Sequence, residues 1–168
     1  KELHEYNDRE TPYGRVVKEM VLEGHKVKFF NPFAALWMMA ETAPCAAEFI
    51  CDHLGDRLCN LILYSDAATP GNKLRPDKGR TFEAVYWSVL EWPDWFRKKA
   101  VVGWFTFAYV PSVVLKVIPG GVATLAKRVL LEFFAEGEAD FNFFRHGVRI
   151  AAGGRVCHVR MRFGCLLC

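Results

Sequence analysis

The sequence predicts a mixed α and β domain built on one core, and three observations carry that reading. Apolar residues make up 52% of 168 positions and aromatics 14%, with 14 Phe and 5 Trp, which is too apolar for a disordered chain and long enough for a single core. Runs rich in β-branched and aromatic residues recur between positions 58 and 110, separated by turn chemistry. Stretches with helical spacing flank them, the cleanest at 122–136.

In chain order, Thr11-Pro12 reads as the start of a helix and Gly24 as its stop, with Val16, Val17, Met20 and Val21 on one face. Residues 26–30 read as a short strand. Asn31-Pro32 opens a helix over 32–42 that is apolar all round, as buried helices are. Pro44 interrupts it, and helix resumes to Gly55. Strands are expected at 58–65, 82–91 and 101–110. The span from Ala67 to Arg80 holds Pro70, Gly71, Asn72, Pro76 and Gly79 and reads as a loop. The helix at 122–136 has an apolar stripe through Val122, Leu125, Ala126, Val129, Leu130, Phe133 and Phe134, and Gly137 ends it. Residues 141–163 read as a hairpin around Ala151 to Gly154. A register with Ile150 facing Arg155 places Arg145 opposite Arg160, with Arg149, His158 and Arg162 on the same face.

The net charge is +3, but it is unevenly placed. Residues 1–140 hold 17 Lys and Arg against 19 Asp and Glu, whereas residues 141–168 hold five Arg and no acid. That points to an anionic partner for the C-terminal piece. Like charges opposed across a hairpin lower its stability, and a bound phosphate would relieve them; a solvated basic face is the alternative. No secretory signal is visible in the charged first 15 residues, so the six Cys are expected as free, mostly buried thiols and the protein as not secreted. Residues 100–115 are apolar but too short for a spanning helix, and Pro111 interrupts them, so no membrane segment is expected. Lys1 is not an initiator Met, and the chain is read as part of a longer polypeptide. The dinucleotide, P-loop, nucleophile-elbow and HExxH signatures are absent. Cys165 and Cys168 form a lone CxxC; with Cys157 and His158 they are a weak candidate for zinc.

The sharpest candidate is Asp66, delivered by the apolar run Leu61 to Tyr64 and followed by turn-rich sequence. An Asp there commonly closes a turn. It is also a suitable hard ligand for Mg²⁺, which takes one or two carboxylates together with substrate phosphate and water. Two such ions can stabilise the attacking and leaving oxygens of a phosphodiester.

The stretch 61–111, about a third of the chain, resembles the start of the catalytic domain of Plavaka-type transposases, in the Kyakuja–Dileera–Zisupton group. The resemblance rests on Ser65-Asp66 after an apolar strand, then Val85-Tyr86 and Trp92-Pro93. The basic turn Arg97, Lys98, Lys99 and the strand end Ala108-Tyr109-Val110-Pro111 complete it. The family's Lys-Thr after Ser-Asp is Ala67-Ala68 here. Glu83, Glu91, Glu132 and Asp140 match no family position.

The resemblance implies a ribonuclease-H-like α/β (α+β) fold of three antiparallel strands followed by a helix. It implies a partial core at 57–137, a helical N-terminal segment at 1–56, and a basic hairpin at 138–168 as an insertion or edge extension. It implies a metal-dependent DNA nuclease or strand-transfer activity, incomplete or degenerate in this chain. Asp66 would be the catalytic and metal-binding residue for Mg²⁺ or Mn²⁺, with DNA as the partner, held by Arg145, Arg149, Arg160 and Arg162. A nuclear protein is implied, with cytoplasm as the alternative. The competing reading is a non-catalytic protein-interaction module that uses the helix at 32–42 and exposed aromatics.

Overall fold

The computed structural model describes residues 9–68, 81–137 and 141–167. They form a mixed α/β structure around a curled seven-stranded sheet.

The N-terminal part departs from expectation. Residues expected as a helix from Thr11 to Gly24 are extended. Two short strands, β1 (Glu10–Thr11) and β2 (Gly14–Arg15), precede a hairpin of β3 (Val17–Leu22) and β4 (His25–Phe30). Thr11 caps a turn and no helix: its hydroxyl donates to the Gly14 carbonyl at 2.7 Å and accepts from the Tyr13 amide at 3.1 Å. Glu23 and Gly24 both have positive φ, 47° and 85°, which fits the right-handed twist of a two-residue hairpin. The burial of Met20, Leu22, Val27 and Phe29 has period two. Val17 and Val21, counted toward a helical stripe, lie on the other side of that pleat.

Helices then form where Asn31-Pro32 and Pro44 set them, as α1 (Pro32–Thr42) and α2 (Pro44–Leu54). Asn31 is buried. Its side-chain carbonyl caps α1 through the Phe33 amide at 3.1 Å, and its amide group donates to the Tyr13 carbonyl at 2.8 Å. One side chain therefore ties the first turn of α1 to the turn between β1 and β2. Among the described residues, the N-terminal segment is helical only from residue 32 onward.

The three expected antiparallel strands are present. They are β5 (Leu58–Ala68), β6 (Phe82–Val89) and β7 (Phe105–Pro111), with β5 against β6 and β6 against β7. β5 runs three residues past the expected end, so Ala67 and Ala68 belong to it; residues 69–80, expected as loop, lie outside the described residues. The basic turn becomes two short helices, α3 (Asp94–Arg97) and α4 (Ala100–Gly103), so β7 starts later than position 101. Helix α5 (Ser112–Val117) leads to α6 (Gly121–Phe133), which buries Leu125, Val129 and Phe133 of the expected stripe and leaves Val122 exposed. It ends three residues before 136, where Phe134 bridges to Asn142. Among the described residues no helix is long and apolar enough to cross a membrane.

The C-terminal hairpin consists of β8 (Val148–Ala152) and β9 (Arg155–Leu167), and its register pairs Ile150 with Cys157 and Ala152 with Arg155. The expected register was two residues out because Gly153-Gly154 alone make the turn, both at positive φ. A slip of two keeps each side chain on its face, so the assignment of faces survives. β9 is more than an edge extension. It pairs in parallel with β5, and β8 takes the edge, giving the sheet order β3-β4-β7-β6-β5-β9-β8. β5 thus has strand neighbours on both sides. Gly164 is the extra residue in a bulge between the pairs Leu61–Phe163 and Ile62–Cys165. A Cβ there would lie 2.8 Å from the Leu61 carbonyl oxygen.

Helices α1 and α2 pack on β8, and α2 also on β9. Cys51 of α2 and Cys157 of β9 form a disulfide across 106 residues of sequence, with Cα atoms 5.6 Å apart. The expectation of free thiols fails here, because the fold brings these two buried cysteines from distant sequence together.

Candidate functional site

Strand alternation decides which way Asp66 points. Leu63 and Ser65 of β5 and Val85 of β6 lie against Val122, Leu125, Ala126 and Val129 of α6. Asp66 follows Ser65, so its side chain leaves the opposite face. It is level with Ala84 of β6, two residues before β5 ends, and it is exposed. The hydroxyl of Ser65 donates to the Glu83 carboxylate on the helix side. The Glu91 carboxylate accepts from the Asn60 backbone amide at 2.8 Å and from its side chain at 2.5 Å. Neither glutamate joins Asp66.

Asp66 instead has aromatic company. The Asp66 charge, followed by burial, holds the nearby Tyr64 phenol above its ordinary pKa. Tyr64 lies 6.2 Å from Tyr86 between ring centroids and 5.9 Å from Trp104. Tyr86 in turn meets Tyr109 edge to face at 6.4 Å. Burial, and then the Tyr109 hydroxyl, raise the pKa of Tyr86. The result is a row of tyrosines across β5, β6 and β7 on the face away from α6. Reading for acids and bases missed this row. Its signal was present, since Tyr64, Tyr86 and Tyr109 each occupy an outward position in an otherwise apolar strand.

The four arginines divide. Arg160 and Arg162 alternate outward on β9, and Arg162 Nε donates to the Asn60 side-chain carbonyl at 2.9 Å. Asn60 is two residues from Ile62 and four from Tyr64 on β5, so the arginines share the face of Asp66 and the tyrosines. Arg149 is paired across β8 and β9 with His158 and also faces outward. Arg145 does not join them. It sits in the turn before β8, where its backbone amide donates to Asn142 Oδ1 at 3.0 Å. The expected hairpin starts later than residue 141 because Asn142 caps that turn.

A divalent-cation site requires more than this. Among the described residues no three His, Cys, Asp or Glu side chains converge to hold a metal. Asp66 supplies one carboxylate, so it fits the part of a single ligand and does not by itself make a site. For zinc, Cys157 is taken by the disulfide and Cys165 is exposed, while Cys168 lies outside the described residues. No family model, no curated protein and no solved structure matches the chain.

Proposed function

We propose that this chain is part of a transposase-like, metal-dependent nuclease or strand-transfer domain acting on DNA, with a ribonuclease-H-like core. One observation carries the reading: the β7-β6-β5-β9 order, in which β9 runs parallel to β5 and an exposed Asp66 stands near the end of β5. Three antiparallel strands, a helix, and a return beside the first strand in parallel is the arrangement such a core requires. β8 is then an insertion between α6 and β9.

Asp66 is the one acid the proposal assigns, as a ligand of Mg²⁺ or Mn²⁺. Such an ion stabilises charge on the oxygens of a phosphodiester under attack. The role of the chain is to hold the carboxylate on an interior strand, beside Tyr64. Arg149, Arg160 and Arg162 would position the DNA backbone. No described residue supplies the remaining acids, so the 168-residue chain alone is expected not to cleave DNA.

The test is a nicking and strand-transfer assay on a longer polypeptide that carries this chain. Activity should need Mg²⁺ or Mn²⁺ and collapse on Asp66→Asn with folding intact. Cleavage by Asp66→Asn equal to the parent would remove Asp66 from the reaction.

The interaction-module reading loses its first support. Helix α1 buries Pro32, Phe33, Ala34, Leu36, Met38 and Ala40 in the protein's own core, so it offers no free apolar face.

A further inference from the structure

We infer that the outer sheet face binds single-stranded nucleic acid, with bases stacked on Tyr64, Tyr86 and Tyr109 and the backbone tracking Arg160 and Arg162. The inference rests on the nucleic-acid reading of the basic face and adds to it the strandedness of the ligand. It does not depend on cleavage.

The charge and ring pattern selects this occupant. Three tyrosines on three adjacent strands form a row, and Tyr109 is 48% exposed. The row is not covered by α1, α2 or α6, which lie on the other face. β9 neighbours β5, and its outward Arg162 and Arg160 stand level with Asn60 and Leu58. They are on the same face as the row but four and six residues back along β5 from Tyr64, so a strand bound to both must run along β5 as well as across it. Arg149 extends the same strip onto β8. An apolar protein partner would gain nothing from that basic strip, and paired duplex bases offer no free faces to the tyrosines. Unpaired bases can stack on aromatic rings while guanidinium groups meet the phosphates, a combination that tolerates any sequence. Asp66 sets the direction. Without a metal ion its charge repels phosphate over β5, so in EDTA the backbone is displaced toward β9 and the bases toward β6 and β7.

The experiment is fluorescence anisotropy in EDTA at low salt, with labelled oligothymidylate and oligouridylate of about 15 nucleotides and a duplex of equal length. Both single strands are expected to bind more tightly than the duplex; the tighter of the two identifies the sugar preferred. Tyr86→Leu with Tyr109→Leu should weaken single-strand binding by about ten-fold or more, because each stacked base contributes that order of affinity. Tyr86→Phe with Tyr109→Phe keeps the rings and should keep the affinity, which separates stacking from loss of fold. Asp66→Asn should tighten binding even though it abolishes any cleavage, so the two proposals fail separately. Duplex binding equal to single-strand binding, a leucine pair that binds like the parent, or a phenylalanine pair that loses binding while folded would overturn the inference.

Discussion

Tyr64 and Asp66 stand two residues apart on the outer face of β5, and the charge of the carboxylate is the largest cause holding the phenol above its ordinary pKa. Asp66 thus stands beside a row of aromatic rings, with the arginines of β9 farther back along the same face. The pair also gives the site a spectroscopic reporter.

Asp66→Asn should lower the Tyr64 phenol toward the ordinary tyrosine value, since the Asp66 charge is the largest cause of its rise. Ring-carbon NMR of labelled tyrosine follows that titration directly. In the parent, Tyr64 keeps its proton longer in the folded than in the unfolded state. Its contribution to stability is therefore complete below the ordinary phenol pKa and is lost as pH rises through the folded value. A Tyr64 titration indifferent to Asp66→Asn would mean the pair is not formed.

Thiol chemistry should follow burial. Cys45 and Cys165 are exposed and free, so alkylation of the native protein should label them and spare Cys59, Cys51 and Cys157. Burial, with the Glu91 charge next, pushes the Cys59 thiol up to about 12, so it stays protonated where an unfolded thiol ionises from 9.0. Stability should accordingly fall as pH climbs from 9.0 toward 12, and Cys59→Ala should lose that part of the dependence.

Breaking the Cys51–Cys157 link should cost about 2–4 kcal/mol, because it closes a long loop of the unfolded chain. Urea unfolding with and without reductant measures this, and Cys51→Ala with Cys157→Ala should match the reduced protein. Equal midpoints in both conditions would show that the bond does not form in solution.

Gly164→Ala should destabilise by about 1–3 kcal/mol, the usual effect of forcing atoms into a packed site. The new methyl would press on the Leu61 carbonyl, 2.8 Å away, at the bulge that sets the register of β9 on β5. Urea denaturation is the readout.

Binding to nucleic acid should fall steeply with salt, by about 0.7 log units per log unit for each phosphate contacted on a single strand and about 0.9 on a duplex. With Arg145 in a turn, three arginines remain on the face, so roughly three contacts is the ceiling. Arg160→Gln with Arg162→Gln should flatten the slope by about two units while the buried face of Cys157, Val159 and Met161 keeps the hairpin folded.

Much of the fold was legible locally. Asn31-Pro32 announced α1, the stripe of Leu125, Val129 and Phe133 announced α6, and Leu61 to Asp66 announced an interior strand. The β3–β4 hairpin was not. Val16, Val17, Met20 and Val21 satisfy a helical stripe, and the competing two-residue alternation emerges only when Val27 and Phe29 are read with Met20 and Leu22 as one pleated face. The parallel pairing of β9 with β5 joins residues about a hundred apart, which no local pattern encodes. The same is true of the Cys51–Cys157 bond. At the site, Asp66 was legible as the acid that follows an apolar run and precedes turn-rich sequence, and the outward positions of Arg149, Arg160 and Arg162 followed from alternation. The tyrosine row depended on strand order, so it became visible only in three dimensions.

The most direct test of a metal-dependent, nucleic-acid-facing Asp66 is paramagnetic broadening of backbone amide resonances by Mn²⁺, with and without a single-stranded oligonucleotide. Mg²⁺-type ions prefer a carboxylate together with substrate phosphate, so the two ligands should act jointly. The account predicts broadening centred on Tyr64 to Ala67 and on Ala84 beside them, deepened by the oligonucleotide and absent in Asp66→Asn. Broadening unchanged in Asp66→Asn, or confined to other acids such as Asp56 and Asp94, would contradict it.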